Sequence, residues 1–157
     1  MGRRVIETLG IGTSATHMEW FFGPKGLRFS EIGCRPPGVG AWDLYSAGND
    51  IDVYREWANV VVHGHVGTHP SRRLATGIVA LRPDHDGQIT GYSGVDEAQA
   101  RLGEWVIDAN LPAPGTPTQP VEAGYWANAY VRMRHPDYDT LRELLDDVGR
   151  TITVHSA

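Results

Sequence analysis

Cysteine is almost missing from this 157-residue sequence: Cys34 is the only one. A lone cysteine closes no internal disulfide, which sets aside a disulfide-stapled secreted scaffold and fits a reducing, cytoplasmic setting. Lysine is equally scarce, with Lys25 the single lysine among 14 basic residues. Any chemistry that needs a lysine on a phosphate therefore has one candidate. Long apolar runs are also lacking, and none approaches the ~20 residues that a membrane-spanning helix requires. The opening residues, Met1-Gly2-Arg3-Arg4-Val5-Ile6-Glu7, carry no long apolar stretch behind the arginines and do not read as a secretory signal. Excess positive charge is absent, since the formal net charge is −5. A protein that grips nucleic acid through its phosphates normally shows the opposite balance, so neither nucleic acid nor membrane is an expected partner. No internal repeat or low-complexity tract is present.

What remains is the composition of a folded protein, with 41% hydrophobic and 21% charged residues. A chain of this size buries roughly two-thirds of its unfolded surface without staples. That is enough for one ordinary domain or two small lobes.

Val5, Ile6 and Leu9 form the stripe of a short helix that Gly10 and Gly12 stop. Residues 14–33 read as a β-hairpin: a strand Ser14–Phe22, a turn Gly23-Pro24-Lys25-Gly26, and a return strand Leu27–Gly33. Lys25 then sits on the exposed tip. The prolines of Arg35-Pro36-Pro37-Gly38-Val39-Gly40 forbid helix and make a tight loop. A short helix is expected over Ala41–Ala47, closed by Gly48, and a longer one over Asp50–Val62, closed near Gly64. Val53, Trp57, Val60 and Val61 form the second helix's stripe, with Asn49 or Asp50 as its N-cap. Residues 64–71 are a Gly/His/Thr/Pro/Ser linker, giving three parts: 1–63, 64–71 and 72–157. The last part reads as strands Leu74–Arg82, Gln88–Tyr92, Gly103–Asn110, Tyr125–His135 and Thr151–His155, with helices Val95–Leu102 and Asp137–Val148. This is an α+β arrangement, an antiparallel sheet with helices on one side.

Chemistry is sought first on the hairpin. His17, Glu19 and Phe21 share one strand face; Leu27, Phe29, Glu31 and Gly33 share another. Glu19 and Glu31 meet on a common face only if the loop has an odd residue count or the ladder contains one bulge. If they meet, two carboxylates stand side by side and call for a cation. Hard divalent ions prefer such oxygens and commonly also bind a substrate's phosphates. Arg35, four residues beyond Glu31, is a fixed positive charge suited to a phosphoryl or carboxylate group. From spacing alone, two solvent-facing glutamates on a plain hairpin is the competing account.

The segments Thr16-His17-Met18-Glu19-Trp20-Phe21 and Glu31-Ile32-Gly33-Cys34-Arg35-Pro36-Pro37-Gly38, with the following Asp43-Leu44-Tyr45-Ser46-Ala47-Gly48, resemble the C-terminal half of an ATP-grasp domain. That pattern has a Glu on one strand, a short hairpin, then Glu-x-Asn-x-Arg on the next. The resemblance implies that residues 1–63 are the C-terminal part of such a domain. Residues 72–157 would be the small sheet-and-helix lobe that closes the site in biotin-carboxylase-like members. It implies ATP and Mg²⁺, with Mn²⁺ as a substitute. Glu19 and Glu31 would be metal ligands, and Arg35 would face the transferred phosphoryl group. The implied reaction joins a small carboxylate to an amine through an acyl phosphate. Two departures stand out. Gly33 occupies the position of the pattern's Asn, which removes a ligand of a second metal. The upstream half with its phosphate-contacting lysines has no counterpart here, so the resemblance implies a truncated ligase that needs a partner lobe or self-association.

Other candidates were weighed on the same terms. His63, His65 and His69 suit Zn²⁺ by type, but a linker offers nothing rigid to hold them. Cys34 reads as a small buried residue, and Trp20, Trp42, Trp57, Trp105 and Trp126 as core anchors. Asp137 after Pro136 reads as a helix start. Two other function classes remain open at this point: a non-catalytic interaction module, and an oxidoreductase metal centre built on His17 and Glu19.

Overall fold

The computed structural model describes residues 1–123 and 127–157. The chain divides into two compact units. The first is Met1–Ser46 with Ile51–Pro70, and the second is Ala47–Asp50 with Ser71–Ala157.

The first unit begins with helix α1 (Gly2–Thr8) and continues into strands β1 (His17–Gly23) and β2 (Gly26–Gly33), paired as an antiparallel hairpin. Pro24 and Lys25 form the two-residue connection, and Gly26 takes a left-handed backbone at φ 74°. Lys25 is exposed on that turn. From Gly23↔Gly26 to Trp20↔Phe29 the ladder is regular; a bulge then takes up Ser30, and the pairs beyond it are Glu19↔Glu31, Met18↔Ile32 and His17↔Gly33. Helix α1 lies against one face of the hairpin, since a Cβ on Gly2 would sit 3.4 Å from the Met18 sulfur and 3.9 Å from Trp20. Trp20 meets Phe29 edge to face on that same side, with ring centroids 5.5 Å apart.

Helix α2 spans Ala41–Asn49 and α3 spans Val53–His63. Asp52 caps α3, its carboxylate accepting the Arg55 N–H at 3.0 Å. That displaces Asn49 and Asp50 from the expected capping role, because both are engaged in the second unit. Gly64 ends α3 as expected, with φ 77° and its N–H on the Val60 carbonyl. Gly48 does not stop α2. A Cβ there would lie 2.9 Å from the Leu74 carbonyl oxygen and 3.2 Å from a Thr76 methyl, so this glycine allows close packing. The neighbouring Asn49 accepts the Ser71 N–H on its carbonyl and the Arg72 N–H on its side chain.

The second unit contains β3 (Ala75–Leu81), β4 (Ile89–Ser93), α4 (Val95–Leu102), β5 (Val106–Asn110), β6 (Ala129–His135), α5 (Tyr138–Thr151) and β7 (Thr153–Ser156). The expected single sheet is two among the described residues: an antiparallel β3-β6-β5 sheet and a separate antiparallel β4-β7 pair. β5 starts at Val106 rather than Gly103 because Gly103–Trp105 wind into a 3₁₀ turn. Helix α5 packs on β3 and β6, and its Leu145 sits over Gly77, where a Cβ would come within 2.5 Å of it. Ile89, Met133, Leu141 and Val148 are the largest fully buried side chains. Asp137 caps α5 by accepting the Thr140 N–H at 2.8 Å, as expected from the sequence. The start of the strand expected over Tyr125–His135, and Trp126, lie outside the described residues. No helix among the described residues is long and apolar enough to cross a membrane.

Candidate functional site

The hairpin's two faces have different fates. One, with Met18, Trp20 and Phe29, packs against α1 or within itself. The other carries Glu19 and Glu31 directly opposite each other, both exposed. Directly opposed residues have side chains on one face, with Cβ atoms about 5 Å apart. Neither carboxylate has a hydrogen-bond or ion-pair partner among the described residues. Like charges opposed in this way repel and destabilise a ladder unless something neutralises them.

The next pair along the same face is His17↔Gly33. Gly33 has no side chain to offer, but the space above it is used. A Cβ built there would lie 3.6 Å from Arg35 Cγ and 3.8 Å from Arg35 Nε. Arg35 therefore turns back over β2 on the side to which Glu31 points, with Nη1 donating to the Pro36 carbonyl at 3.0 Å. Two acceptor-only carboxylates thus share one exposed face, with the Arg35 stem over the neighbouring Gly33. The donor set fits a hard divalent cation with phosphate oxygens and water completing its shell.

The remaining candidates are placed elsewhere. His63 and His65 approach each other with ring centroids 6.2 Å apart, His65 Nδ1 lying 3.1 Å from the His63 carbonyl. Among the described residues no group of three or more His, Cys, Asp or Glu side chains is gathered for a metal. Cys34 is exposed, which corrects its reading as a small buried residue. It lies just past the end of β2, in the bend before the two prolines, where no partner strand covers it. The described tryptophans, Trp20, Trp42, Trp57 and Trp105, are all only partly buried. Trp105 packs against the core of the second unit, whereas Trp42 and Trp57 line an apolar groove of about 290 Å³ in the first.

That groove was missed from the sequence. Trp42 meets Tyr54 and Trp57 edge to face, with centroids 5.2 and 6.5 Å away. The available signal was the stripe Val53, Trp57 and Val60, three residues of one helix face that line the groove. Glu56 also lines the groove. It is buried, and its carboxylate accepts the Gly67 and Thr68 N–H groups, tying 64–70 back onto α3. The Gly67 N–H is the main reason its carboxyl is held below the usual range.

No protein-family model matches the sequence, and no curated protein matches it significantly. Solved structures do match. The chain superposes on an L-amino acid ligase from Bacillus licheniformis with a TM-score of 0.76 at 14% identity, covering 97% of this chain and 38% of that one. For a phosphoribosylglycinamide synthetase from Anaerococcus prevotii the TM-score is 0.73 at 11% identity, over 99% and 40% of the two chains. For an N5-carboxyaminoimidazole ribonucleotide synthetase from Thermotoga maritima it is 0.68 at 18% identity, over 99% and 41%. The chain thus spans about two-fifths of the length of the structures it matches. Over nearly its whole length it has the fold of a segment of ATP-grasp ligases.

Proposed function

We propose that the protein is the metal- and phosphate-binding segment of an ATP-dependent ligase that joins a small carboxylate to an amine, working in the cytoplasm. The observation that carries this is the direct opposition of Glu19 and Glu31 with no neutralising partner among the described residues. In this role Glu19 and Glu31 hold Mg²⁺, or Mn²⁺ in its place, and orient the β- and γ-phosphates of ATP. The ion's chemistry is to offset phosphate charge during transfer. Arg35 presents its guanidinium to the transferred phosphoryl group and then to the acyl phosphate, where a fixed donor fork stabilises developing charge. The carboxylate oxygen attacks the γ-phosphorus and ADP leaves; the amine then attacks the acyl carbon and phosphate leaves.

Residues 1–63 act as the C-terminal part of the ATP-grasp domain, 64–71 as a linker, and 72–157 as the closing lobe. The nucleotide-clasping remainder comes from a further segment or partner, and this chain alone does not turn over. Half of a clasp encloses little of the ligand, and positioning is most of phosphoryl-transfer catalysis.

A second role, as an interaction module without catalysis, is favoured by the exposed Phe21 and Phe22 near the hairpin tip, 70% and 86% accessible. Calorimetric titration with Mg²⁺·ADP separates the two. Weak binding that Glu19→Gln and Glu31→Gln both abolish supports the ligase role. Undetectable binding that stays undetectable when a clasping segment is supplied leaves the interaction module.

A further inference from the structure

We infer that the hairpin tip docks in the apolar groove of a second copy of this chain, so that two copies exchange tips and form a pair. The contact does not depend on the ligase role or on the carboxylate pair.

Phe21 and Phe22 lie on opposite faces of the hairpin just before the turn, and both rings are open to solvent. The groove lined by Trp42, Trp57 and Val66 is an apolar hollow in the same unit. A chain cannot fill its own groove with its own tip. Ala15 and Thr16, immediately before β1, line the groove, and Phe22 stands six residues beyond Thr16 along an extended ladder. At about 3.3 Å per residue the tip is roughly 20 Å from it. The charges match across two copies. Residues 20–30 carry Lys25 and Arg28 and no acid. The groove's rim is acidic: Asp43 accepts the hydroxyl of Tyr54, whose ring meets Trp42, and Asp52 precedes the groove residue Val53. The nearby Arg55 faces Glu56 at 4.0 Å. Opposite charges around an apolar centre steer the encounter and fix its register. Two hairpins laid antiparallel bring each tip to the other's base, and this exchange closes on a two-fold axis instead of growing into a chain. Four buried phenylalanines at roughly 150 Å² each, with matching groove area, come to about 1,200 Å², the low end for a specific interface and suited to a reversible pair.

Lys25 is the single lysine, so a carbodiimide, which joins an amine to an adjacent carboxylate as an amide, reports where the tip lies. The whole chain is mixed in unlabelled and nitrogen-15-labelled forms, treated with carbodiimide, and its peptides are mapped by mass spectrometry. Peptides joining Lys25 to Asp43 or Asp52 across the two isotopes are expected, beside a reversible monomer–dimer equilibrium in sedimentation. Phe22→Ser and Val66→Glu, both at exposed positions, should each lower the cross-link yield at least about tenfold, as loss of an anchor does. Mixing these two variants leaves one contact intact. The cross-link should then return in one direction only, from Lys25 of the Val66→Glu chain to the Phe22→Ser chain. Lys25 joined only within a single chain, or mainly to acids away from the groove, overturns the inference. So does a chain that stays monomeric at high concentration, or a Phe22→Ser variant that cross-links as the natural chain does. If Val66→Glu does not fold, Phe22→Ser and the map of Lys25 partners are decisive.

Discussion

Glu19 and Glu31 stand opposite each other across β1 and β2 because a bulge takes up Ser30. The pairs nearer the turn have positions summing to 49, as in Trp20↔Phe29, and an unbroken ladder would set Glu19 against Ser30 and Glu31 against Met18. Glu31 would then point to the side that α1 covers. A one-residue slip reverses every side chain of a strand. The bulge lets Trp20 and Phe29 pack together while Glu19 and Glu31 meet on the other face.

Deleting Ser30 should therefore preserve the site. Glu31 would follow Phe29 directly and still face Glu19 in a regular ladder. Mn²⁺ binding is expected to be retained, because the deletion removes the unpaired residue and keeps the facing pair. Loss of Mn²⁺ binding in a folded deletion variant would disprove this account of the register.

The carboxylate pair should show opposite signs in stability and binding. In the absence of metal, Glu19→Gln or Glu31→Gln removes a cross-strand repulsion. Each is expected to stabilise by roughly 0.2–1 kcal/mol, the usual range for cross-strand pairs. The same changes should weaken Mn²⁺ binding more than tenfold. Urea unfolding in chelator, together with equilibrium dialysis against Mn²⁺, checks both signs, and a destabilised Glu19→Gln would count against repulsion.

Glu56 gives a pH dependence whose sign follows from its hydrogen bonds. The Gly67 and Thr68 N–H groups hold its folded carboxyl below the unfolded value. Its contribution is thus fully present above the unfolded value and is lost as pH falls through the lowered folded one. Glu56→Gln should be less stable near neutrality, with the difference shrinking in acid. Unfolding midpoints measured from pH 7 downward would show this; a constant gap would refute it.

The two close-packed glycines should respond unequally to alanine. At Gly48 the new methyl meets the Leu74 carbonyl, fixed backbone, at 2.9 Å. At Gly77 it meets the end of the flexible Leu145 side chain. Gly48→Ala is expected to cost on the order of 1–3 kcal/mol, typical of overpacking, despite alanine's better helix propensity. Gly77→Ala should cost less. Thermal unfolding of the two variants ranks them, and the reverse order would fail the prediction.

Local chemistry was enough for the elements whose signals lie within a few residues. The hairpin follows from its aromatic and β-branched strands around Gly23-Pro24-Lys25-Gly26, the end of α3 from Gly64, and the start of α5 from Asp137. The α+β class was legible from the pattern of strands and helices after residue 72, and the likeness to ATP-grasp ligases from the segments around Glu19, Glu31-Ile32-Gly33-Cys34-Arg35 and Asp43. Partners distant in sequence decided the rest. Gly48 looks like a helix stop until Leu74 and Thr76 are packed beside it. Asn49 looks like a cap until its side chain accepts the Arg72 N–H. The groove lined by Trp42 and Trp57 is completed by residues as far apart as Ala15 and Pro70. Residue identity set which carboxylates were available and left their meeting conditional on one bulge. The conflict between packing Trp20 on Phe29 and pairing Glu19 with Glu31 exists only in the folded ladder, and there Ser30 leaves the pairing and resolves it.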